Sequence, residues 1–422
     1  MRSGATQAGT RAATMRASAL LFLLQCAQLR ALAWPSSVGA RLRTLRAAAP
    51  RTPHSGYHGQ GEVDFFEGWY SRLTLPDEET SLALIYAIFD PGARTARSGV
   101  EAQVLVARAD GTRSTRAATA DCSRFAAAPH DLSVRNAFQS GERFSMTSTK
   151  HEGSIGDVSW AFAVVPAVGW GGRFDDPRAR QYSTAGWLSS LGPLVSPHYQ
   201  VLQSLGYATG RLRVGDREVA FSDAPFYAEK NWGRAFPRRW WWIQCNAFDD
   251  CEREVALTAT GATRSLVSVG PSPPEDDVAL VGIHIDGVFY PFPEVDWDVE
   301  TWGAWRVGGS YDGLTVEIRA TCDDGGAAVR VPTPEGMADG ARESYRGTLT
   351  LAVRRGAEVI LDASSSLACV EVGGDYGGAA WTGTSQMAEP LRSVAYDVGL
   401  ERAVSSRLAA AQERGWLEIP GL

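Results

Sequence analysis

Cysteine is scarce in this chain. The six in 422 residues stand at 26, 122, 245, 251, 322 and 369, and none forms a C-x-x-C pair. That pattern suggests neither a disulfide framework nor a structural zinc site and makes buried free thiols the expectation. Histidine is equally sparse, also six, with no H-E-x-x-H. His54 and His58 are four apart, but Ser55, Gly56 and Gly59 make a helix there improbable, so no metal is expected. No G-x-G-x-x-G and no phosphate-binding loop opens a helix, and "GTSQM" (383–387) is not a nucleophile elbow, so no nucleotide cofactor is indicated. Acidic residues are missing from the first 53 positions, which carry eight arginines. Residues 54–422 therefore hold 33 basic against 48 acidic side chains, a net −15 where the whole chain has −7. A body without a basic footprint does not suit nucleic acid. No apolar run long enough to span a bilayer follows residue 33.

The acid-free stretch has its own pattern. Met15-Arg16 precedes the apolar run Ala17 to Leu24, and "ALA" (31–33) stands before Trp34. This is a signal peptide's basic, apolar and small-residue order. From Trp34 to Pro53 the chain is Arg-rich and acid-free, like a transit peptide. Residues 1–53 resemble the bipartite presequence of algae with complex plastids, a plain secretory signal being the alternative, and the expected location is the plastid (chloroplast).

The body shows no long amphipathic helix between 54 and about 390. Short β-rich runs recur instead, among them "SLALIYAIFD" (81–90), "GRLRVGDREVAFSD" (210–223), "VALVGIHIDGVFYPF" (278–292) and "EVILDASSSLACVEVGG" (358–374), divided by Gly-Asp and Asp-Gly turns. The expected fold is all-β, antiparallel barrel or sandwich. Only "RSVAYDVGLERAVSSRLAAAQERG" near the C-terminus reads as partly helical. A loop-rich stretch at 168–200 divides the body into expected domains at 54–205 and 206–422.

Aromatics are abundant, with 14 tryptophans, and two acids lie among them. Glu67 sits in "FFEGWY" (65–70) and Glu229 in "YAEKNWG" (227–233). Each is either a strut paired to Arg72, Arg234, Arg238 or Lys230, or a working acid. A carboxyl buried among aromatics has its pKa raised and stays protonated near neutrality, while aromatic faces stabilise a nearby cation. Together these suit protonation of an alkene. "RRWWWIQCN" (238–246) would alternate as a strand, with Arg239, Trp241, Ile243 and Cys245 on one face and Trp240, Trp242, Gln244 and Asn246 on the other. That second face reads either as a half-polar cavity wall or as a packed core with capped amides.

"TPHSGYH" (52–58), "FFEGWY" (65–70), "STAGWL" (183–188), "APFYAEKNWG" (224–233), "FPRRWWWIQCNAF" (236–248), "EVALTA" (254–259) and the final "PGL" together resemble the tocopherol cyclase family of plants and algae. The chain departs from it in a short, Ala/Ser-rich 113–165 region and in Arg234 with three consecutive tryptophans. The resemblance implies two lipocalin-like β-barrel domains. It also implies an enzyme, an intramolecular lyase of vitamin E biosynthesis, that closes phytyl benzoquinols to chromanols without a redox cofactor. The small-molecule partner would be a prenylated benzoquinol, with peripheral attachment to the thylakoid membrane or to plastid lipid droplets (plastoglobules). On this reading Glu229 donates the proton while Lys230 and Asn231 orient the quinol oxygens. Glu67 is the second candidate, with His54 or His58 as base, and Trp69, Tyr70, Trp232, Trp240, Trp242, Gln244 and Asn246 line the substrate. A lipocalin-like carrier of prenylquinones or carotenoids, and a carotenoid hydratase-like enzyme, are the alternatives.

Overall fold

The computed structural model describes residues 52–59, 64–92, 98–108, 110–184, 186, 196–249, 251–265, 275–333 and 335–385. Most of the leader and the expected C-terminal helix lie outside these residues. The described body is β throughout, with only two 3₁₀ turns beside its strands. One antiparallel sheet runs, edge to edge, β4 (Arg113–Ala120), β3 (Gly99–Ala107), β2 (Thr80–Phe89), β1 (Phe66–Leu75), β12 (Arg217–Gly233), β11 (His198–Val214), β9 (Val158–Gly169), β8 (Lys150–Ile155), β7 (Arg143–Thr147), β6 (Ser133–Ala137) and β5 (Ala126–Ala127), with β10 (Gly172–Arg173) on β9. The other runs β16 (Val288–Phe292), β15 (Glu275–Ile285), β14 (Val255–Ser265), β13 (Arg239–Cys245), β22 (Glu358–Gly374), β21 (Gly336–Arg355), β19 (Leu314–Thr321), β18 (Ala304–Tyr311), β17 (Glu294–Val299) and β23 (Trp381–Ser385), with β20 (Ala327–Thr333) on β21.

The strands follow from their alternation. In "LTVEIRAT" (314–321) buried and exposed residues alternate without exception, so one face packs inward and the other meets solvent. The Asp286-Gly287 pair expected to turn has φ 52° and 80°, the two positive angles of a type I′ hairpin.

The change of sheet differs from the expected division near 205/206. It falls between Gly233 and Arg239, because β12 returns to pair with β1 along Phe66–Leu73. Within the loop-rich stretch 168–200, the Tyr182 amide donates back to the Trp170 carbonyl at 2.9 Å, just past the end of β9 in the first sheet. Each sheet encloses an apolar core of its own. One holds Trp69, Leu84, Phe144 and Phe226, the other Trp241, Ile243, Trp297 and Leu351. A third layer lies between the sheets, where Tyr70, Val201 and Tyr227 of the first meet Trp242, Tyr345 and Cys369 of the second.

Candidate active site

β12 decides which acid faces what. Successive side chains of a strand point to opposite faces. Phe226 and Ala228 enter the core of the first sheet with Lys230 beside Trp69, while Tyr227, Glu229 and Asn231 face the second sheet. β13 alternates likewise: Trp241, Ile243 and Cys245 fill the second core, and Trp240 and Trp242 face the first sheet. Between these faces lies a cavity of ≈ 200 Å³ whose walls include Tyr70, Tyr199, Glu229, Trp240, Trp242 and Glu371.

Glu229 is buried, and no cation among the described residues pairs with it. The hydroxyls of Tyr199 and Tyr227 each donate to its Oε2 at 2.5 Å, and the Trp242 indole N–H donates to the Tyr199 hydroxyl at 3.3 Å. Burial pushes the carboxyl up to about 7, against the lowering effect of the two phenol hydrogen bonds. Both phenols are themselves held neutral by burial and by the neighbouring carboxyl. The arrangement is a carboxylic acid, protonated near neutrality, whose conjugate base already has two donors in place.

Glu67 lies on the other side of the same sheet, fully buried and ion-paired to the Lys230 ammonium. The His58 backbone N–H donates to its Oε2 at 2.8 Å and the His58 Nδ1 stands 3.2 Å from Oε1. Burial would raise this carboxyl, but Lys230 and His58 bring it below its ordinary value. Lys230 also donates to the Gly56 carbonyl at 2.6 Å. His58 stacks on Trp232 with centroids 4.1 Å apart, and its Nε2 is 3.4 Å from His54 Nδ1. Burial lowers both imidazoles. These residues clamp segment 52–59 onto the sheet.

The thirteen residues singled out from the sequence thus separate into three groups. Glu229, Asn231, Tyr70, Trp240 and Trp242 line the cavity. Glu67, His54, His58, Lys230, Trp69 and Trp232 form or border the clamp behind it, so neither Lys230 nor the two histidines reach a molecule bound beside Glu229; the two-residue period of β12 sends Lys230 the opposite way. Gln244 and Asn246 face the first sheet but are engaged there. Gln244 Oε1 accepts from Arg72 at 2.9 Å, and Asn246 Nδ2 donates to the Phe226 carbonyl at 3.1 Å.

Two acids escaped the sequence reading. Glu371, in the cavity wall, accepts from the Trp240 indole N–H. It stands directly across from Glu343 on β21. Glu343 is buried, taking the Tyr70 hydroxyl at 2.6 Å, the Tyr345 hydroxyl at 2.8 Å and the Cys369 thiol at 2.9 Å. Burial raises both carboxyls, and their proximity to each other raises Glu371 further. The signal for Glu371 was an acid inside the apolar run "ACVEVGG"; Glu343, flanked by charged and polar residues, gave none. Gly373, paired with Trp240 across β13 and β22, leaves room for that ring, since a Cβ there would stand 2.0 Å from it.

A family model described as tocopherol cyclase-like matches residues 63–374. The protein named tocopherol cyclase, chloroplastic, from Zea mays is 32% identical over 452 residues, spanning 92% of this chain and 92% of that protein. The one named probable tocopherol cyclase, chloroplastic, from Oryza sativa subsp. japonica is 33% identical over 432 residues, spanning 90% and 89%. Among solved structures, kievitone hydratase from Nectria haematococca is similar at a TM-score of 0.44 and 10% identity, over 77% of this chain and 98% of that one.

Proposed function

Because the chain belongs to the tocopherol cyclase-like family, we propose that it is a plastid enzyme that closes phytyl benzoquinols to chromanols, an intramolecular addition of a phenol across an alkene. Its substrates are 2,3-dimethyl-6-phytyl-1,4-benzoquinol, giving γ-tocopherol, and 2-methyl-6-phytyl-1,4-benzoquinol, giving δ-tocopherol. The observation that carries the reading is Glu229, a buried carboxyl raised to about 7 in the wall of an aromatic cavity. The Glu229 proton goes to the first double bond of the tail. The phenol oxygen bonds to the tertiary carbon as cationic character develops there, and the phenol proton is released. Tyr199 and Tyr227 are already placed to stabilise the carboxylate that forms, which is electrostatic preorganisation at the atom where charge appears. Trp240 and Trp242 offer ring faces to the developing cation.

Size supports a ring-sized guest. A cavity of about 150 Å³ accepts a benzene molecule, so ≈ 200 Å³ suits a methylated quinol head, with the tail continuing outside it. A tail that insoluble requires delivery from a lipid phase, so the working location is the surface of the thylakoid or of plastid lipid droplets.

The test is incubation of the protein with dimethylphytylbenzoquinol under anaerobic reducing conditions. γ-Tocopherol is the expected product, at a rate that falls as pH rises through about 7, where Glu229 loses its proton. Glu229→Gln is expected to lower kcat by about 10²–10⁴-fold. Tight binding of the quinol without product would favour a carrier, and a normally folded Glu229→Gln protein cyclising at full rate would remove Glu229 from the mechanism.

A further inference from the structure

The cyclisation leaves one proton to be accounted for, the one on the phenol oxygen. Beside Glu229, the only other carboxyl in the cavity wall among the described residues is Glu371. It comes from the opposite side: Glu229 projects from β12 of the first sheet, Glu371 from β22 of the second. Both carboxyls therefore open onto one cavity, near enough for the charge of Glu229 to act on Glu371.

The surroundings of Glu371 determine its protonation state. Across the strand pair it faces Glu343, and like charges directly opposite each other are unfavourable. Glu343 has the better claim to the negative charge. It takes three side-chain hydrogen bonds, from Tyr70, Tyr345 and Cys369, and feels the positive charge of Arg72 from β1. On its side chain, Glu371 accepts from the Trp240 indole N–H. Burial raises both carboxyls, but Glu371 is raised well above its ordinary value and Glu343 adds to that rise, so of the two Glu371 holds its proton the more firmly. Of the other groups facing this pair, Glu229 from β12 becomes anionic on reacting or as pH rises through about 7, and burial keeps the phenols of Tyr70, Tyr199, Tyr345 and Tyr376 and the thiol of Cys369 neutral.

We propose that Glu371 is a second catalytic carboxyl, a two-oxygen proton relay that carries the phenol proton back to Glu229 and is kept charged with its proton by Glu343. This rests on the cyclase reading. The steps balance. The Glu229 O–H bond breaks as a C–H bond forms on the alkene, and the C–O bond closes the ring. The phenol O–H proton passes to the carbonyl oxygen of Glu371 while the hydroxyl proton of Glu371 passes to the Glu229 carboxylate. Both acids end neutral, as they began, and no other reactant is consumed. Glu343 touches no substrate and is a positioning residue.

Glu371→Gln separates this role from a structural one, because the amide oxygen still accepts from Trp240 while the amide cannot relay a proton. The expected result is a folded protein that binds the quinol with KM within about threefold of wild type, with kcat down by about 10²–10⁴-fold. Infrared spectroscopy provides a readout independent of turnover: a neutral-carboxyl C=O band that persists at pH 8 in the wild-type protein and is absent from Glu371→Gln. Glu343→Gln, which removes the neighbouring charge, is expected to weaken that band at pH 8 and to alter the pH profile of kcat. A Glu371→Gln protein with full kcat overturns the relay and leaves the cyclase reading standing if Glu229→Gln is still inactive. A wild-type protein lacking the band at pH 8 also overturns it, whatever the activity. If the wild type keeps the band but forms no chromanol from the quinol, the cyclase reading fails and the relay falls with it.

Discussion

Glu67 and Glu229 are the same residue type, both buried, both set among aromatics, and the structure gives them opposite protonation. The difference lies in their partners. An ammonium and an imidazole meet Glu67, whereas hydroxyls meet Glu229. A cation compensates the loss of hydration of a carboxylate; two neutral donors compensate it only in part. Keeping Glu229 protonated has a consequence for stability. Its folded value, about 7, lies above the unfolded value of 4.5, so the folded state holds a proton that the unfolded chain releases between those values. Stability therefore falls as pH rises from 4.5 to about 7, by about 3 kcal/mol in total at ~1.4 kcal/mol per unit, and the deficit persists above that window. Glu229→Gln removes the deficit while retaining an oxygen for the tyrosine hydroxyls. Its melting temperature is expected to exceed that of wild type at pH 8 and to match it near pH 4.5; equal melting at pH 8 would mean that Glu229 is ionised at no cost in the native protein. The sequence disclosed the setting of both acids but not their partners, because Tyr199 comes from a strand 30 residues away and neither glutamate carries a local mark of which face it occupies.

At the scale of the element, β12 does two jobs through its two faces. Its period of two is local, so the alternation of "RRWWWIQCN" and of "YAEKNWG" was legible in the sequence. Which face met a cavity and which a core was not, because that depends on the strand opposite. β1 supplies Glu67 to one face of β12 and Tyr70 to the other. The same limit hid Glu343 and Glu371, which are 28 residues apart in sequence and adjacent only across a hairpin. The two faces of β12 separate on mutation. Lys230→Met leaves Glu67 buried without its cation, at an expected cost of about 3–5 kcal/mol in urea unfolding. The double variant Glu67→Gln/Lys230→Met, which buries no charge, is expected to recover much of that loss. Because Lys230 points away from the cavity, the double variant should retain kcat per folded molecule. A loss of kcat in a fully folded double variant would return Lys230 to the substrate.

The whole molecule places its site where two β modules meet, and it ties them with buried polar bonds. The sheet switch at 233–239 was invisible in the sequence because the pairing that defines it joins β12 to β1, about 150 residues earlier. Arg72 is the central tie. From β1 of the first sheet its guanidinium donates to the Gln244 side chain at 2.9 Å, to the Gln244 carbonyl at 3.3 Å and to the Leu367 carbonyl at 2.5 Å, all in the second module, and to Ser81 at 3.1 Å in its own sheet. Its charge also lies beside Glu343. A planar fork can reach several fixed acceptors at once; an ammonium on a flexible stem cannot hold the same set. Arg72→Lys therefore preserves the charge but loses most of the tie, and Arg72→Met loses both. With net hydrogen bonds to a charged group worth about 1.5–3 kcal/mol each, both variants are expected to lower the urea midpoint by the equivalent of 2 kcal/mol or more, a magnitude set by that same scale. Arg72→Met should fall further, because Glu343 then loses its positive neighbour. Cyclisation should decline in both, since the carboxyls on the two walls are held in register by the docking that Arg72 secures. An Arg72→Lys protein as stable and as active as wild type would show that charge alone, and not the fork across the interface, joins the modules.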